Sequence, residues 1–306
     1  MPSRRRVLQG SASLAALAAL IPWLPASAFA TGTLPSRTIP SSGEPLPVIG
    51  LGTSRTHDVA LTDEALRPLR KVLQTLVNGG ASLVDTAPSY GRAESVCGEL
   101  AARDGLRKRL FLASKVSSTG RAAGERQVEA SFAALRTDTI DLMQVHNLQD
   151  TSTQLGLLRE LKEQGRVRYI GVTHYLDSAH ERLLQVLRRE PVDFVQFNYS
   201  IGEHNAEREL LPYCADKGIA VLINRPFQRS ALFERVKGKS LPDWATVELD
   251  ASSWAQLMLK FILANPAVTA VIPATSNPRY MADNILAGQG RLPDAAQRQR
   301  IIELFA

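Results

Sequence analysis

The chain has only two cysteines among its 306 residues. Cys97 and Cys214 form no CxxC pair and no Cys/His cluster at metal spacing, so a zinc site is not indicated. Both fall in predicted helices. In a barrel those helices follow the second and sixth strands, on roughly opposite sides, beyond the ~7 Å reach of a disulfide. Two unpaired structural thiols are expected. Aromatic residues are sparse at 6%, and no basic stripe with interleaved aromatics occurs. Half of the formal net charge of +6 comes from Arg4, Arg5 and Arg6. The remainder makes no case for nucleic acid as a partner. No GxGxxG follows an early strand, which argues against a Rossmann domain. No apolar run reaches the ~20 residues needed to span a membrane.

What is present begins at the N-terminus. Arg4-Arg5-Arg6-Val7-Leu8 is followed by an alanine-rich apolar segment from Gly10 to Leu24, broken by Pro22 and Pro25. Ala26-Ser27-Ala28-Phe29-Ala30 closes it with small residues. Basic start, apolar middle and small-residue end are the parts of an export signal. The paired arginines resemble a twin-arginine signal. Residues 1–30 read as that signal, cut after Ala30 or Ala28. Residues 31–306 read as the mature domain. The expectation is a folded, exported, periplasmic protein that engages the twin-arginine machinery. It carries no stable membrane anchor and is a monomer. An uncleaved anchor is the alternative.

After the signal, 44% hydrophobic content suits one large domain or two small ones. Residues 34–48 read as two extended pieces around Ser41-Ser42-Gly43, a hairpin turn. Eight apolar runs follow: 48–53, 81–86, 110–115, 140–145, 168–173, 194–198, 220–224 and 268–272. Helical patterns alternate with them at roughly 62–78, 92–103, 124–136, 152–165, 178–190, 205–217, 252–264 and 278–287. Such alternation predicts a parallel sheet. Eight units of about 250 residues predict an α/β fold, the (β/α)₈ TIM barrel, with its site at the C-terminal strand ends. An open doubly wound sheet is the structural alternative.

Three consecutive runs end in chemistry. Asp85-Thr86-Ala87-Pro88-Ser89-Tyr90-Gly91 follows the second, Lys115 ends the third, and His146 ends the fourth. A lone Asp at a strand end is more often a cap, and a lone loop Tyr is more often packing. Lysine and histidine, however, are poor ends for buried strands unless they do something. Together Asp85, Tyr90, Lys115 and His146 make a constellation.

In these contexts the chain resembles an aldo/keto reductase over nearly all residues after 35. The resemblance implies that the N-terminal hairpin covers the barrel bottom. It also implies carbonyl reduction with NADP(H), or NAD(H). Tyr90 would be the general acid, and a cationic Lys115 would lower its phenol pKa from ~10. Asp85 would hold Lys115 charged, and His146 would orient the carbonyl of a small-molecule substrate. The cofactor site would draw on Gly52, Thr53, Asp85, Thr173, His174, Gln196, Asn224, Pro226, Phe227, Thr275, Arg279 and Asn284. The glycines of the first strand could equally be packing choices.

The chain departs from the family pattern at four places. His174 stands for asparagine, and Asn224 stands for a ring that would stack under the nicotinamide. A lysine is missing at Ala274, and Arg279 is the nearest base to a family arginine. The substrate pocket would come from residues 55–58, 147–150 and 228–250, with Trp244 and Phe227 as apolar walls. Trp254 reads as helix packing. The departures and the export signal keep a second reading open, an exported nucleotide-binding or sensor barrel with vestigial turnover. A barrel hydrolase built on the same carboxylate and histidine ranks third.

Overall fold

A short hairpin precedes the main sheet. Strands β1 (Ser36–Thr38) and β2 (Pro45–Pro47) pair antiparallel. At the turn, the Ser42 and Gly43 amides donate to the Ile39 carbonyl at 3.2 and 2.9 Å. Gly43 sits at φ +79°, a conformation that a Cβ would penalise. The protein is seen here as a computed structural model, which describes residues 34–305. The expected export signal, residues 1–30, lies outside the described residues.

The main sheet has eight parallel strands in chain order. They are β3 (Leu51–Gly52), β4 (Leu83–Asp85), β5 (Phe111–Val116) and β6 (Ile140–His146). They continue as β7 (Val167–Thr173), β8 (Phe194–Asn198), β9 (Ala220–Asn224) and β10 (Ala270–Val271). Parallel bridges Ile49↔Val271 and Gly52↔Ala274 join the last strand to the first. The sheet is therefore closed, and the fold is the expected barrel rather than an open sheet.

Gly52 is explained by that closure. A Cβ there would lie 2.7 Å from the Ile272 carbonyl oxygen. Inside, Leu83, Phe111, Leu142, Phe194 and Leu222 form an apolar cluster with Ile39 and Leu46 of the hairpin. Leu83, Phe111 and Phe194 each open their strand. The hairpin thus seals the N-terminal ends of the barrel. Tyr169 ties it down, its hydroxyl donating to Glu44 Oε2 at 2.6 Å and accepting from Ser42 Oγ at 2.7 Å.

Helices cover the outside. They are α1 (Asp63–Asn78), α2 (Ala93–Arg103), α3 (Arg121–Leu135) and α4 (Thr151–Glu163). Then come α5 (His180–Arg189), α6 (Leu210–Lys217), α7 (Ala231–Arg235) and α8 (Asp243–Leu249). The last are α9 (Trp254–Leu263), α10 (Pro278–Ala287) and α11 (Ala295–Leu304). Helix α1 shows the logic. Leu66, Leu69, Val72, Leu73, Leu76 and Val77 repeat at three- and four-residue spacing and are all buried. Each such side chain contributes roughly 2 kcal/mol on burial. Thr62 caps the helix, accepting from the Ala65 amide at 3.4 Å.

Helices α7, α8 and α11 add to the expected set. Cys97 and Cys214 are both buried and free, on α2 and α6. No helix among the described residues is long and apolar enough to cross a membrane.

Candidate active site

Strand β4 ends in Asp85, whose backbone is held on both sides. The Thr86 amide donates to the Ala113 carbonyl at 2.9 Å, and the Thr53 amide donates to the Asp85 carbonyl at 3.0 Å. The Asp85 side chain points into the barrel beside Lys115 of β5. Lys115 Nζ donates to Asp85 Oδ2 at 2.7 Å and to the Thr86 carbonyl at 2.8 Å. Both side chains are all but sealed, 4% and 1% exposed. Burial opposes the charge on Lys115, but Asp85 and Tyr90 outweigh it, so its pKa lies above the ordinary lysine range.

Pro88 starts a single 3₁₀ turn, Pro88–Tyr90, and Gly91 leaves it at φ +64°. That turn swings the half-buried Tyr90 back over the strand ends. Lys115 Nζ lies 5.0 Å from the centre of the Tyr90 ring. His146, closing β6, meets the same ring edge-on at 6.0 Å. Its Nδ1 lies 3.4 Å from Ser89 Oγ. Burial first, then the Lys115 and His174 charges, push the His146 pKa down to about 3. The imidazole is therefore neutral across the physiological range.

For Tyr90 the balance differs from the expected one. Burial raises the phenol pKa more than the Lys115 charge lowers it, so the net shift is upward. The phenol stays protonated.

Asp85, Tyr90 and His146 open onto a cavity of about 580 Å³ at the C-terminal ends of the strands, with Lys115 sealed behind Asp85. That is the size and place of a ligand site in this fold. Thr173, Gln196 and Asn224 line it, as do Pro226 and Phe227. Gln196 is at the centre of a polar network. Its amide donates to Asp85 Oδ1 at 2.8 Å. Its carbonyl oxygen accepts from Thr173 Oγ1 and from the Asn224 amide, each at 3.3 Å. Asn224 also donates to the His174 carbonyl at 3.3 Å, while its own Oδ1 is buried with no partner.

The other expected cofactor contacts fall outside the cavity lining. Gly52 is used for barrel closure. Thr53 Oγ1 is spent on the Asp85 carbonyl at 3.0 Å. The His174 ring stacks on Tyr175 at 5.5 Å, and its Nδ1 accepts from the Leu176 amide at 3.2 Å. Thr275 is buried, its Oγ1 accepting from the Asn277 amide at 3.0 Å. Arg279 is exposed, and its amide is taken by the Asn277 cap. Asn284 is buried on α10. Of the two expected apolar walls, Phe227 lines the cavity and Trp244 does not. The Trp244 ring carries the Arg300 guanidinium at 4.1 Å instead. Trp254 packs edge-on against Phe305, as helix packing requires.

A sequence profile of the aldo/keto reductase family matches residues 48–301. The chain belongs to the aldo/keto reductase family. Among curated relatives it is 28% identical to the methylglyoxal reductase YeaE of Escherichia coli, over 76% of this chain and 82% of that one. It is also 28% identical to the aldo-keto reductase YhdN of Bacillus subtilis. That match spans 57% of this chain and only 56% of YhdN, so it covers little more than half of that relative. Among solved structures, an aldo/keto reductase from Klebsiella pneumoniae in complex with NADP and acetate superposes with a TM-score of 0.75 at 24% identity. It covers 89% of this chain and 95% of that one.

Several residues in or beside the cavity of this family member were not singled out from sequence. Gln144 of β6 is wholly buried and donates to Asp85 Oδ1 at 3.4 Å. A signal for it existed. It stands two residues before His146 and two after the inward Leu142, so strand alternation turns it inward. Tyr175, Arg225 and Arg229 line the cavity itself, Arg229 within the expected pocket segment 228–250. They lie in loops, where no periodicity reports orientation.

Proposed function

We propose that this protein reduces an aldehyde or ketone to an alcohol with NADP(H), Tyr90 acting as general acid. The observation that carries this is the convergence of Tyr90, neutral His146 and Asp85, with Lys115 paired behind it, on one cavity. The NADP complex of the Klebsiella pneumoniae protein and the methylglyoxal reductase name of YeaE support it.

The residues present fit the dinucleotide. Asn224 Oδ1 is a buried acceptor without a donor, which the carboxamide of a nicotinamide would satisfy. Arg225 Nε is a buried donor without an acceptor, suited to a phosphate oxygen. Thr173, Gln196 and Asn224 would hold the nicotinamide, and the loop from Arg225 to Ser230 would hold the phosphates. When bound, NADPH supplies the hydride.

The side chains do the rest. Neutral His146 donates a hydrogen bond to the carbonyl oxygen and fixes its direction. Tyr90, kept protonated by burial, gives its proton to that oxygen as negative charge develops there. Lys115 stabilises the phenolate left behind, and Asp85 keeps Lys115 charged and in place. We further propose that residues 1–30 direct export of the folded, cofactor-loaded protein.

The test is a fluorescence titration of residues 31–306 with NADPH and NADH, beside carbonyl-reduction assays of the wild type and Tyr90→Phe. Micromolar or tighter NADPH binding in both, with turnover only in the wild type, is the expected result. Undiminished turnover by Tyr90→Phe would overturn Tyr90 as the acid. No binding of either nucleotide by folded, nucleotide-free protein would overturn the cofactor assignment.

A further inference from the structure

The cavity holds more positive charge than carbonyl reduction uses. Its one carboxylate, Asp85, is already paired with Lys115. Three arginines remain on its walls: Arg55, Arg225 and Arg229. None of them makes an ion pair among the described residues, whereas twelve other arginines do. Arg225 is part-buried, while Arg55 and Arg229 are exposed at the rim; cationic groups gathered around a concave site without counter-charge attract anions.

These arginines form two separate poles. Arg225 and Arg229 belong to the loop after β9 and share Tyr175. Their guanidinium groups lie 5.6 and 6.0 Å from its ring centre, and Arg225 Nη1 donates to its carbonyl at 2.9 Å. This doubled pole suits the phosphates of the dinucleotide.

Arg55 belongs to the loop after β3, and that loop is fastened to the segment bearing Tyr90. Thr53 donates twice to the Asp85 carbonyl, from its amide and its hydroxyl, both at 3.0 Å. Asp58 Oδ1 accepts from the Arg92 amide at 3.1 Å and from Arg92 Nε at 3.2 Å. The Asp58 carboxyl also fills the space where a Cβ on Gly91 would stand, 2.3 Å away. Arg55 is thus held in register with Tyr90. Its backbone sits at φ +65°, a left-handed conformation that an L-residue adopts at a cost and that glycine adopts freely.

We propose that Arg55 receives the acid group of the substrate, so that the preferred substrates are carbonyl compounds bearing a carboxylate or a phosphate. The proposal rests on the reductase reading of this cavity. Arg55 is then a specificity-determining residue, and its guanidinium makes a charge-assisted, two-pronged contact with anionic oxygens.

The experiment compares kcat/KM with NADPH for two matched pairs, succinic semialdehyde against butanal and glyceraldehyde 3-phosphate against glyceraldehyde. The wild type should favour the charged member of at least one pair by about tenfold or more. The pair that shows the preference tells carboxylate from phosphate. Arg55→Gly removes the guanidinium and relieves the backbone, so thermal melting should show an intact fold. Its charged-to-neutral ratio should fall at least about tenfold, through KM. Ratios near one in the wild type, or a ratio unchanged in Arg55→Gly, would overturn the proposal. So would loss of the preference in Arg229→Ala and not in Arg55→Gly. Turnover of the neutral aldehydes with flat ratios defeats this proposal alone. No turnover of any of the four defeats it together with the reductase reading.

Discussion

Replacing Lys115 with methionine should destabilise the protein more than any surface change. The pair it breaks is sealed from water, with Lys115 Nζ 2.7 Å from Asp85 Oδ2 and side chains 1% and 4% exposed. Methionine is unbranched and of similar length, so packing is largely kept. What remains is a buried carboxylate, with only the Gln196 and Gln144 amides facing it at 2.8 and 3.4 Å. Breaking a buried pair by removing one partner costs about 3–5 kcal/mol. In a domain of this size that lowers the melting temperature by roughly 10 °C.

The double variant Asp85→Asn/Lys115→Met supplies the control. It removes the stranded charge while the amide still accepts from Gln196. It should recover more than half of the loss, because the two sites touch and their effects are not additive. Thermal and urea unfolding of the three proteins at pH 7.5 measures this. A Lys115→Met protein within about 1 kcal/mol of wild type would refute the reasoning. So would a double variant no more stable than the single one.

Three other outcomes are expected. Tyr90→Phe should lose at least about a hundredfold in kcat, as removal of a general acid does, with the nucleotide Kd within threefold of wild type by titration. His146 has its pKa held down to about 3, below its ordinary ~6.5. Between these values the unfolded chain binds a proton that folded His146 refuses. Stability should therefore fall as pH drops from about 6.5 toward 3, by up to ~1.4 kcal/mol per pH unit. His146→Gln should flatten that slope in urea unfolding at pH 4.5, 5.5 and 6.5; an unchanged slope would assign it wholly to other groups, such as His57. Gly52→Ala places a Cβ 2.7 Å from the Ile272 carbonyl oxygen. It should cost roughly 1–3 kcal/mol through strain, and unchanged stability would mean that the strand joint yields.

The barrel was legible because its signals are local and repeated. Each strand is a short apolar run, and each long helix carries a stripe such as Leu66–Leu69–Leu73–Leu76. The helices that went unread are of two kinds. Helices α7 and α8 have five and seven residues, too few turns for a 3.6-residue period to declare itself. Helix α11 has ten residues and did carry a start signal. Asp294 and Gln297 form a reciprocal capping box, the Gln297 amide donating to Asp294 Oδ1 at 2.8 Å and the Asp294 amide to Gln297 Oε1 at 3.0 Å.

The inner site was legible for a different reason. Asp85, Lys115 and His146 each end a strand or nearly so, and strand ends at one rim of a closed sheet must converge. Alternation adds direction, which is why Gln196 could be placed and Gln144 could have been. The outer site had no such rule. Arg55, Arg225 and Arg229 stand in loops at φ +65°, +50° and +55°, conformations that composition does not forecast for arginine. The expected cofactor residues outside the cavity lining have nearer partners, as the Asp85 carbonyl accepts from Thr53 Oγ1 and Thr275 Oγ1 accepts from the Asn277 amide. Side chains anchored on strand ends can thus be placed together from strand spacing. The conformations of the loop arginines depend on backbone geometry, and that has to be seen in three dimensions.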